Sequence, residues 1–217
     1  MAKATLTISS RNYSSWCLRG WLICKFAGLD FEVIKAPLDD ASARAELLLL
    51  SPSFLIPSLT HAGAKVWDTL AIAEYLNEAL PGANLLPKKP IARATCRAIC
   101  GEMHSGFANL RAALPMNLKA HHPDFKVWAG AQMDIDRITL IWREQLAASG
   151  GPFLFGEPGL ADAMYAPVCT RFVTYDVALD PISAAYRDRI VALPEMKEWK
   201  AAALKEPDEV EELEVEF

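Results

Sequence analysis

The sequence predicts an α/β domain at the amino terminus followed by an all-helical domain. Three observations carry this prediction. A short apolar strand, a helical pattern and a second strand follow one another within residues 6–34. A segment rich in proline and glycine then covers residues 81–90, where a chain commonly passes from one domain to the next. Beyond it, apolar residues recur at the three- and four-residue steps of buried helix faces.

The first strand and the first helix follow from the spacing of apolar residues. Leu6 and Ile8 alternate with polar neighbours, which favours a half-buried strand. A helix that ends near Gly28 is predicted next, because glycine is common just past a helix end. Its apolar stripe consists of Leu18, Trp21, Leu22 and Phe26.

Two further apolar runs complete the predicted sheet. Residues 31–34 predict a second strand, which would close a βαβ unit. Ile56-Pro57 opens another apolar run that turns back near residues 61–63 into Val66-Trp67. Because proline has no N–H to donate, Pro57 fits a strand only at its start or on an edge.

Hydroxyl and thiol side chains cluster where the first strand is expected to turn into the helix. Tyr13, Ser14, Ser15 and Cys17 lie in this segment. A helix N-terminus directs unpaired N–H groups and the positive end of its dipole at a bound anion, so a thiolate would be stabilised there. The alternative is that a serine only caps the helix.

The segment rich in proline and glycine divides the chain into two domains. We place the first domain at residues 1–81, the linker at residues 82–90 and the all-helical domain at residues 91–217. One long helical stripe runs from Cys96 to Leu114 and another from Trp128 to Leu146. Packing in the core or between subunits explains both stripes without a ligand.

Three residues at four-residue steps invite a metal interpretation. Cys96, Cys100 and His104 could face the same way on a helix, but a tetrahedral site would need a fourth ligand. We therefore predict that they line a packed or interfacial face and that no metal is bound.

The ordered set of motifs resembles the cytosolic glutathione transferases, and within them the serine-type, bacterial-like members. The resemblance runs over nearly the whole chain and depends on residues 13–19, Ile56-Pro57, Asp68-Thr69 and residues 158–163. It implies the glutathione transferase fold, which joins a thioredoxin-like, glutathione-binding domain to an all-α domain. It also implies a homodimer that uses glutathione as a co-substrate.

The resemblance assigns a role to each residue of the first motifs. Ser14 would be the catalytic hydroxyl, because counting back from Gly28 places it where serine-type members carry theirs. Ser15 is the second choice, as an additional donor. The family's proline is cis at the position of Pro57, and Ile56 before it would offer its main-chain N–H and C=O to the cysteinyl part of glutathione.

The two ends of glutathione require charged partners. Asp68-Thr69 match the acidic–hydroxyl pair that opens the family's third helix and holds the γ-glutamyl ammonium and carboxylate; an ordinary helix cap is the alternative. Arg44 lies near the position where relatives supply a cation for the glycyl carboxylate; a solvated surface arginine is its alternative. Phe54-Leu55 depart from the family, since many transferases have a polar or basic contact there.

The resemblance implies a transferase that binds a second, small and apolar electrophile between the domains. The enzyme would lower the pKa of the glutathione thiol, which is about 8.5 in a free thiol, so that the thiolate attacks. The residues expected to line the second-substrate pocket are Trp16, Glu102, Met103, Phe107 and Arg111.

Two other functions stay open. A noncatalytic binding or scaffold protein is favoured by the missing polar residues at Phe54-Leu55. A thiol–disulfide oxidoreductase would use Cys17, although a small buried apolar role is preferred for this residue. Tyr13 is a minor candidate for the catalytic hydroxyl, since it lies later than the tyrosine of tyrosine-type classes.

Composition restricts the partners and the compartment. The net charge of −5 argues against nucleic-acid binding, and no apolar run is long enough to span a bilayer. Five scattered cysteines fit reduced thiols, so a cytoplasmic protein is expected. Residues 206–214 are strongly acidic and predict a solvated tail, with a lid over the pocket as the alternative.

Overall fold

The computed structural model describes residues 4–36 and 56–206 of the 217-residue chain. Arg44, Phe54 and Leu55, together with residues 207–214 of the predicted acidic tail, lie outside the described residues.

The amino-terminal domain is built on a four-stranded mixed sheet with the strand order β2-β1-β3-β4. The central strand β1 pairs in parallel with β2 and antiparallel with β3, which in turn pairs antiparallel with β4. Leu6 and Ile8 of β1 are fully buried, as their alternation predicts. The strands are β1 (Ala4–Ile8), β2 (Phe31–Lys35), β3 (Ser58–His61) and β4 (Ala64–Val66).

Two described helices belong to this domain, α1 (Ser15–Phe26) and α2 (Thr69–Ala79). The helix α1 connects β1 to the parallel strand β2, which gives the predicted βαβ unit. It packs against α2 on one side and against a helix of the second domain on the other, so nine of its twelve residues are buried. The beginning of α1 therefore lies where the two domains meet.

The second domain is helical throughout its described residues. Its central helix, α6 (Leu160–Thr174), has fourteen of its fifteen residues buried and packs against α1, against α3 (Pro90–Ser105) and against α7 (Pro181–Ala192). No described helix has both the length and the apolar character needed to cross a membrane. The helices are α3 (Pro90–Ser105), α4 (Ala108–Ala113), α5 (Ala129–Ser149), α6 (Leu160–Thr174), α7 (Pro181–Ala192) and α8 (Pro194–Ala203). This architecture confirms the predicted fold class.

The first long helical stripe is interrupted, contrary to the prediction. The chain leaves helical geometry after Ser105, and Phe107 takes a φ of 59° before α4 begins. A Cβ atom on Gly106 would lie 2.7 Å from the Glu102 carbonyl oxygen, so only glycine fits this turn. Arg111 of α4 then donates to the main-chain carbonyls of Gly106 and Met103, which lack helical partners at the end of α3.

The start of α6 has room only for a glycine at position 159. A Cβ atom on Gly159 would lie 2.9 Å from the carbonyl oxygen of Leu85, and that carbonyl accepts a hydrogen bond from Leu160 N. Asp162 still accepts a hydrogen bond from Gly159 N at 3.1 Å. The cap is therefore one-sided, because the chain at Leu85 runs too close to this helix end for a larger residue at position 159.

The prediction of a solvated acidic tail is wrong for Glu206, the first residue of that segment. Its side chain is only 6% exposed and lies near the guanidinium of Arg11 and the ammonium of Lys35. The prediction was wrong here because charge repulsion was judged from the neighbouring acidic residues alone. Basic residues that are distant in sequence supply the compensating charge.

Candidate functional site

The helix α1 begins with Ser14 as its N-terminal cap. Ser14 Oγ accepts a hydrogen bond from Cys17 N at 3.3 Å, and Ser14 O accepts one from Leu18 N at 3.2 Å. The capping interpretation is thus confirmed. It does not exclude a catalytic role, because a hydroxyl that accepts one hydrogen bond keeps its own proton for donation. Ser14 is half-buried and lies two residues from the cavity wall formed by Trp16.

A cavity of about 280 Å³ lies beside the start of α1. Main-chain and side-chain groups from α1, the β3 entry, the α2 entry and α3 surround it. The structure thus brings together four of the residues predicted to bind glutathione with one predicted for the second substrate. The lining residues are Trp16, Ile56, Pro57, Asp68, Thr69 and His104.

The proline at the cavity is fixed by an unusually close helix. The Ile56-Pro57 peptide bond is cis, as the resemblance implies. Pro57 packs against Gly20 of α1 so tightly that a Cβ atom on Gly20 would lie 2.5 Å from Pro57 Cγ. Within the described residues, the main-chain N–H and C=O of Ile56 make no hydrogen bond. These two groups are therefore available to a ligand.

The entry of α2 carries one capping group and one unpaired group. Asp68 Oδ1 caps the helix by accepting from Leu70 N at 2.9 Å and from Ala71 N at 3.2 Å. Asp68 Oδ2 lies 3.4 Å from His104 Nε2 of the second domain. Thr69 is fully buried, and its Oγ1 has no hydrogen-bond partner. An unpaired buried hydroxyl is costly, which marks Thr69 as a group that a ligand would satisfy.

His104 is a cavity residue that the sequence analysis did not assign to the site. Its ring packs edge-on against Trp16, with ring centroids 4.9 Å apart, and its buried Nδ1 has no hydrogen-bond partner. The sequence feature that could have identified His104 is its spacing of four and eight residues from Cys100 and Cys96 on one helix face. That face of α3 is buried within the second domain at Cys96 and reaches the first domain at His104.

The indole ring of Trp16 carries two guanidinium groups. The Arg19 guanidinium lies 4.8 Å from the ring centroid and that of Arg111 lies 5.0 Å away, both within cation–π range. Arg19 donates to Met164 O at 2.8 Å and to Ser15 Oγ at 3.3 Å, and it contacts the sulfur of Met103. Ser15 is therefore engaged with Arg19 rather than exposed to the cavity.

Arg171, which lies two helical turns beyond Met164 on α6, adds a third cation and is buried like Arg19, whereas Arg111 is half-buried. The Nε and Nη1 atoms of Arg171 are buried and have no hydrogen-bond partner. Burial, and then the charge of Arg111, lowers the pKa of Arg171 to about 9, and burial also lowers the pKa of Arg19 and of Arg111. Among the described residues, no carboxylate pairs with any of these three arginines. We call Arg19, Arg111 and Arg171 the arginine cluster.

The remaining residues predicted for the second substrate separate into two groups. Met103 is buried and its sulfur faces the arginine cluster. Phe107 is also buried, at the turn between α3 and α4. The structure does not bring Glu102 to this place, because both its carboxylate oxygens bind the exposed Arg137 at 2.7 and 2.9 Å.

The Cys17 thiol is enclosed rather than presented to the cavity. It is fully buried; Ser9 N donates a hydrogen bond to the sulfur at 3.3 Å, and the Ser9 hydroxyl lies in hydrogen-bond contact with the sulfur at 3.4 Å. Burial raises the pKa of this thiol, which opposes formation of a nucleophilic thiolate. The preferred interpretation of Cys17 as a small buried residue is confirmed.

The other cysteines fit the packing interpretation as well. Cys96 and Cys100 are buried in the core, and all five cysteines are free thiols. Within residues 4–36 and 56–206, no three potential ligands converge as a metal site would require.

Family models match both domains of the chain. Residues 13–79 match the model of the glutathione S-transferase N-terminal domain, and residues 126–201 match that of the C-terminal domain. A solved structure of a glutathione transferase homologue from Burkholderia, with bound glutathione, superposes with a TM-score of 0.71. It is 23% identical and the match covers 94% of this chain and 100% of that chain.

Curated relatives are similar at comparable levels of identity. A probable maleylacetoacetate isomerase of Caenorhabditis elegans is 35% identical over 112 residues, which is 50% of this chain and 51% of that protein. This chain therefore matches about half the length of that relative. The maleylacetoacetate isomerase of Pseudomonas aeruginosa is 31% identical over 179 residues, covering 78% of this chain and 82% of that protein.

Proposed function

Because this chain belongs to the glutathione S-transferase family, we propose that it activates the glutathione thiol as a thiolate for attack on a small electrophile. Ser14 is the catalytic hydroxyl in this proposal. A hydroxyl that accepts a hydrogen bond can also donate its own proton to a sulfur, and the position of Ser14 at the start of α1 adds the favourable field of the helix N-terminus. Both effects favour the anion over the thiol.

The observation that carries the proposal is the unpaired hydroxyl of Thr69 in the wall of the cavity. A γ-glutamyl carboxylate would accept a hydrogen bond from Thr69 Oγ1, while Asp68 Oδ2 would attract the ammonium. The main chain of Ile56 would then pair with the cysteinyl part, which brings the sulfur toward Ser14. Arg44 is proposed for the glycyl carboxylate and Ser15 as an indirect support through Arg19.

The family also provides the remaining proposals about assembly and location. We propose that the protein is a cytoplasmic homodimer and that its second substrate occupies the space beside Trp16, between the domains. The expected apolar character of that substrate stays a prediction.

The decisive experiment is a glutathione titration followed by ultraviolet difference absorbance of the bound thiolate across pH. Wild-type protein should show thiolate near neutral pH, whereas Ser14→Ala should require a higher pH and lose turnover by about 100-fold, the loss typical of removing one stabilising donor. The affinity for glutathione should change much less. Ser105→Ala is the matched control, because its exposed hydroxyl donates to Gly101 O within α3 and has no assigned role in the site. Unchanged thiolate formation in Ser14→Ala would contradict the assignment.

Glutathione-dependent isomerisation is a second candidate, favoured by the arginine cluster beside Trp16. Buried guanidinium groups without carboxylate partners among the described residues suit an anionic substrate. Relatives named maleylacetoacetate isomerase support the same choice. Thiolate addition to a double bond, rotation about the resulting single bond and elimination would return glutathione unchanged. Titration of total thiol during turnover separates the two reactions, since a transferase consumes glutathione and an isomerase does not.

The two other functions make different predictions in the same titration. A scaffold protein would show no saturable glutathione binding. A Cys17-dependent oxidoreductase would form a mixed disulfide with glutathione that mass spectrometry detects in wild type and that disappears in Cys17→Ser. The burial of the Cys17 sulfur and its raised pKa count against that reaction.

A further inference from the structure

The loop between β1 and α1 places Ser14, and a hydroxyl inside the loop organises it. Ser10 Oγ accepts hydrogen bonds from Asn12 N at 3.0 Å and from Tyr13 N at 3.2 Å. Tyr13 directly precedes Ser14 in the sequence. The position of the Ser10 hydroxyl therefore sets the course of the main chain into the cap of α1.

The far end of the second domain supplies the partner of this hydroxyl. Glu206 Oε2 accepts hydrogen bonds from Ser10 Oγ at 3.1 Å, from Arg11 N at 2.9 Å and from Asn12 N at 3.4 Å. One carboxylate oxygen thus contacts three consecutive residues of the loop. Hydrogen bonds to an ionised acceptor are stronger than neutral ones, so this contact is well suited to hold the loop in one conformation.

Glu206 is itself fixed from several sides. Its carbonyl oxygen accepts a hydrogen bond from Lys119 Nζ at 2.6 Å, and its Oε1 lies 3.4 Å from Arg11 Nη1 and 3.8 Å from Lys35 Nζ. Trp199 of α8 donates its Nε1–H to Arg11 O at 3.0 Å. With this many partners the Glu206 side chain is held in one orientation.

A second contact between the domains supports the same loop. The Asn12 side chain accepts from Leu118 N at 2.8 Å and from Lys119 N at 3.1 Å, and it donates to Asn117 Oδ1 at 2.9 Å. The Asn12 side chain and the Glu206 carboxylate thus both attach this short loop to the helical domain. The first domain alone does not supply these contacts.

We propose that Glu206 is a positioning residue of the glutathione site, whose carboxylate holds the β1–α1 loop so that Ser14 is oriented toward the sulfur. This role rests on the proposed function of Ser14. Glu206 touches neither the cavity wall nor Ser14 and acts through Ser10 and the main chain of residues 11–13.

The charge and the position of Glu206 have opposite effects on a thiol at the start of α1. Its negative charge raises the pKa of the nearby Cys17 thiol, although burial contributes more to that increase. Removing the charge alone would therefore lower the pKa of a thiol bound there. Loss of the correct Ser14 orientation would raise it. The direction in which the pKa of the bound thiol changes therefore distinguishes a positioning role of Glu206 from a purely electrostatic effect of its charge.

The test compares Glu206→Ala, Glu206→Gln and the control Glu198→Ala in the full chain. Glu198 also joins α8 to α1, through an exposed ion pair with Lys25 at 2.8 Å, but it does not touch the loop. The apparent pKa of the bound glutathione thiol is measured by ultraviolet difference absorbance, together with kcat and KM. Thermal unfolding identifies the temperature range in which each variant is folded.

Glu206→Ala should raise the pKa of the bound thiol and lower kcat by about 10-fold or more, since small misplacements of a reacting group cost this much or more. KM for glutathione should change less than kcat. Glu206→Gln keeps one acceptor oxygen for Ser10 and Arg11 and should restore most of the activity. Glu198→Ala should behave as wild type.

The outcomes separate this proposal from the assignment of Ser14. A wild-type protein without bound thiolate overturns the proposed function. A normal wild-type signal that persists unchanged, or moves to lower pH, in Glu206→Ala overturns the role of Glu206 alone. Should Glu206→Ala fail to fold, Ser10→Ala removes only the hydroxyl link. It must then raise the thiol pKa, and an unchanged pKa would refute the proposal.

Discussion

At the scale of single residues, Thr69 offers a substitution in which stability and binding should change in opposite directions. Thr69→Val removes a buried hydroxyl that has no partner while keeping the side-chain shape. The free energy of unfolding should rise by about 1 kcal/mol, because an unpaired buried polar group is eliminated. Glutathione should bind about 10-fold more weakly, because its carboxylate loses a hydrogen bond. Urea unfolding and calorimetric titration measure the two effects.

Thr170→Val is the matched control for this substitution. Its buried hydroxyl donates to Pro167 O at 2.8 Å, so its removal should cost stability and leave glutathione affinity unchanged. If Thr69→Val bound glutathione as tightly as wild type, Thr69 would not contact the ligand.

Individual site residues differ in how far the sequence predicts them. Ser14 and Pro57 sit in local motifs, so a cap and a strand entry are predictable from neighbouring residues. His104 and Gly20 are not, because their importance comes from atoms that approach from distant segments. The lack of hydrogen-bond partners at Nε and Nη1 of Arg171 is likewise a property of three-dimensional packing, and no sequence pattern predicts it.

At the scale of elements, the contact between α1 and the strand entry depends on a missing side chain. In Gly20→Ala the new Cβ would meet Pro57 Cγ at 2.5 Å, so the helix or the proline must move. We expect a loss of about 2 kcal/mol in unfolding free energy, typical of overpacking. Glutathione affinity should also fall, since Ile56 moves with Pro57. Urea unfolding and glutathione titration test both expectations.

Gly101 provides the comparison, because it is also a helical glycine but a Cβ atom added to it would meet nothing within 4 Å. Gly101→Ala should raise stability by about 0.5–1 kcal/mol through helix propensity alone. Equal effects of the two alanines would show that the close approach at Pro57 is unimportant.

The start of α6 should make stability depend on pH through Asp162. Burial raises the pKa of this carboxyl to about 6. Hydrogen bonds from Leu154 N, Tyr186 and Gly159 N favour the ionised form and limit the increase. Because the folded-state pKa exceeds the unfolded value, the stabilising contribution is complete below about pH 4 and is lost as pH rises through about 6. The difference amounts to about 3 kcal/mol.

Urea unfolding of wild type and Asp162→Asn between pH 4 and pH 7 measures this contribution, which the substitution should remove. Asp180 is the opposite control. Burial raises its pKa, but the hydrogen bonds from Ser183 and the charge of Arg143 outweigh burial and lower it. Asp180→Asn should therefore remove stability that wild type gains as pH rises. A wild-type profile identical to that of Asp162→Asn would refute the raised pKa.

The elements themselves were largely predictable, because strands and helices depend on local spacing. The boundary that failed lies at Gly106, where the apolar spacing continues through a turn. The spacing of apolar residues predicts which face is buried, but it does not predict where the main chain changes direction. The turn depends on the approach of the Glu102 carbonyl, which only the folded helix creates.

At the scale of the whole molecule, the domain order and the helical character of the second half follow from the sequence, but the interface between domains does not. Glu206 shows why: its neighbours in the sequence indicate repulsion, whereas its neighbours in space are Arg11 and Lys35. The same interface assembles the arginine cluster from α1, α4 and α6. The ion pairs of Glu206 and the arginine cluster thus both depend on contacts between the two domains.

The unpaired guanidinium of Arg171 should make the protein less stable when no ligand is bound. Arg171→Met replaces a buried guanidinium lacking hydrogen bonds at Nε and Nη1 with an apolar chain of similar length. Without ligand, the free energy of unfolding should rise by about 1–3 kcal/mol, because an unpartnered buried charge is removed. If the cluster binds an anionic substrate, the same variant should lose activity toward an unsaturated carboxylic acid and keep it toward the neutral methyl ester.

Arg97→Met is the control, since Arg97 forms an exposed ion pair with Glu74 at 2.8 Å and should affect stability by less than about 1 kcal/mol. Thermal unfolding and a kcat/KM ratio for the acid and its ester give both results. A ratio that is the same in wild type and Arg171→Met would remove the arginine from substrate recognition. Lower stability in Arg171→Met would show that its charge is compensated in the fold, and the cluster would then be structural rather than a site held ready for an anion.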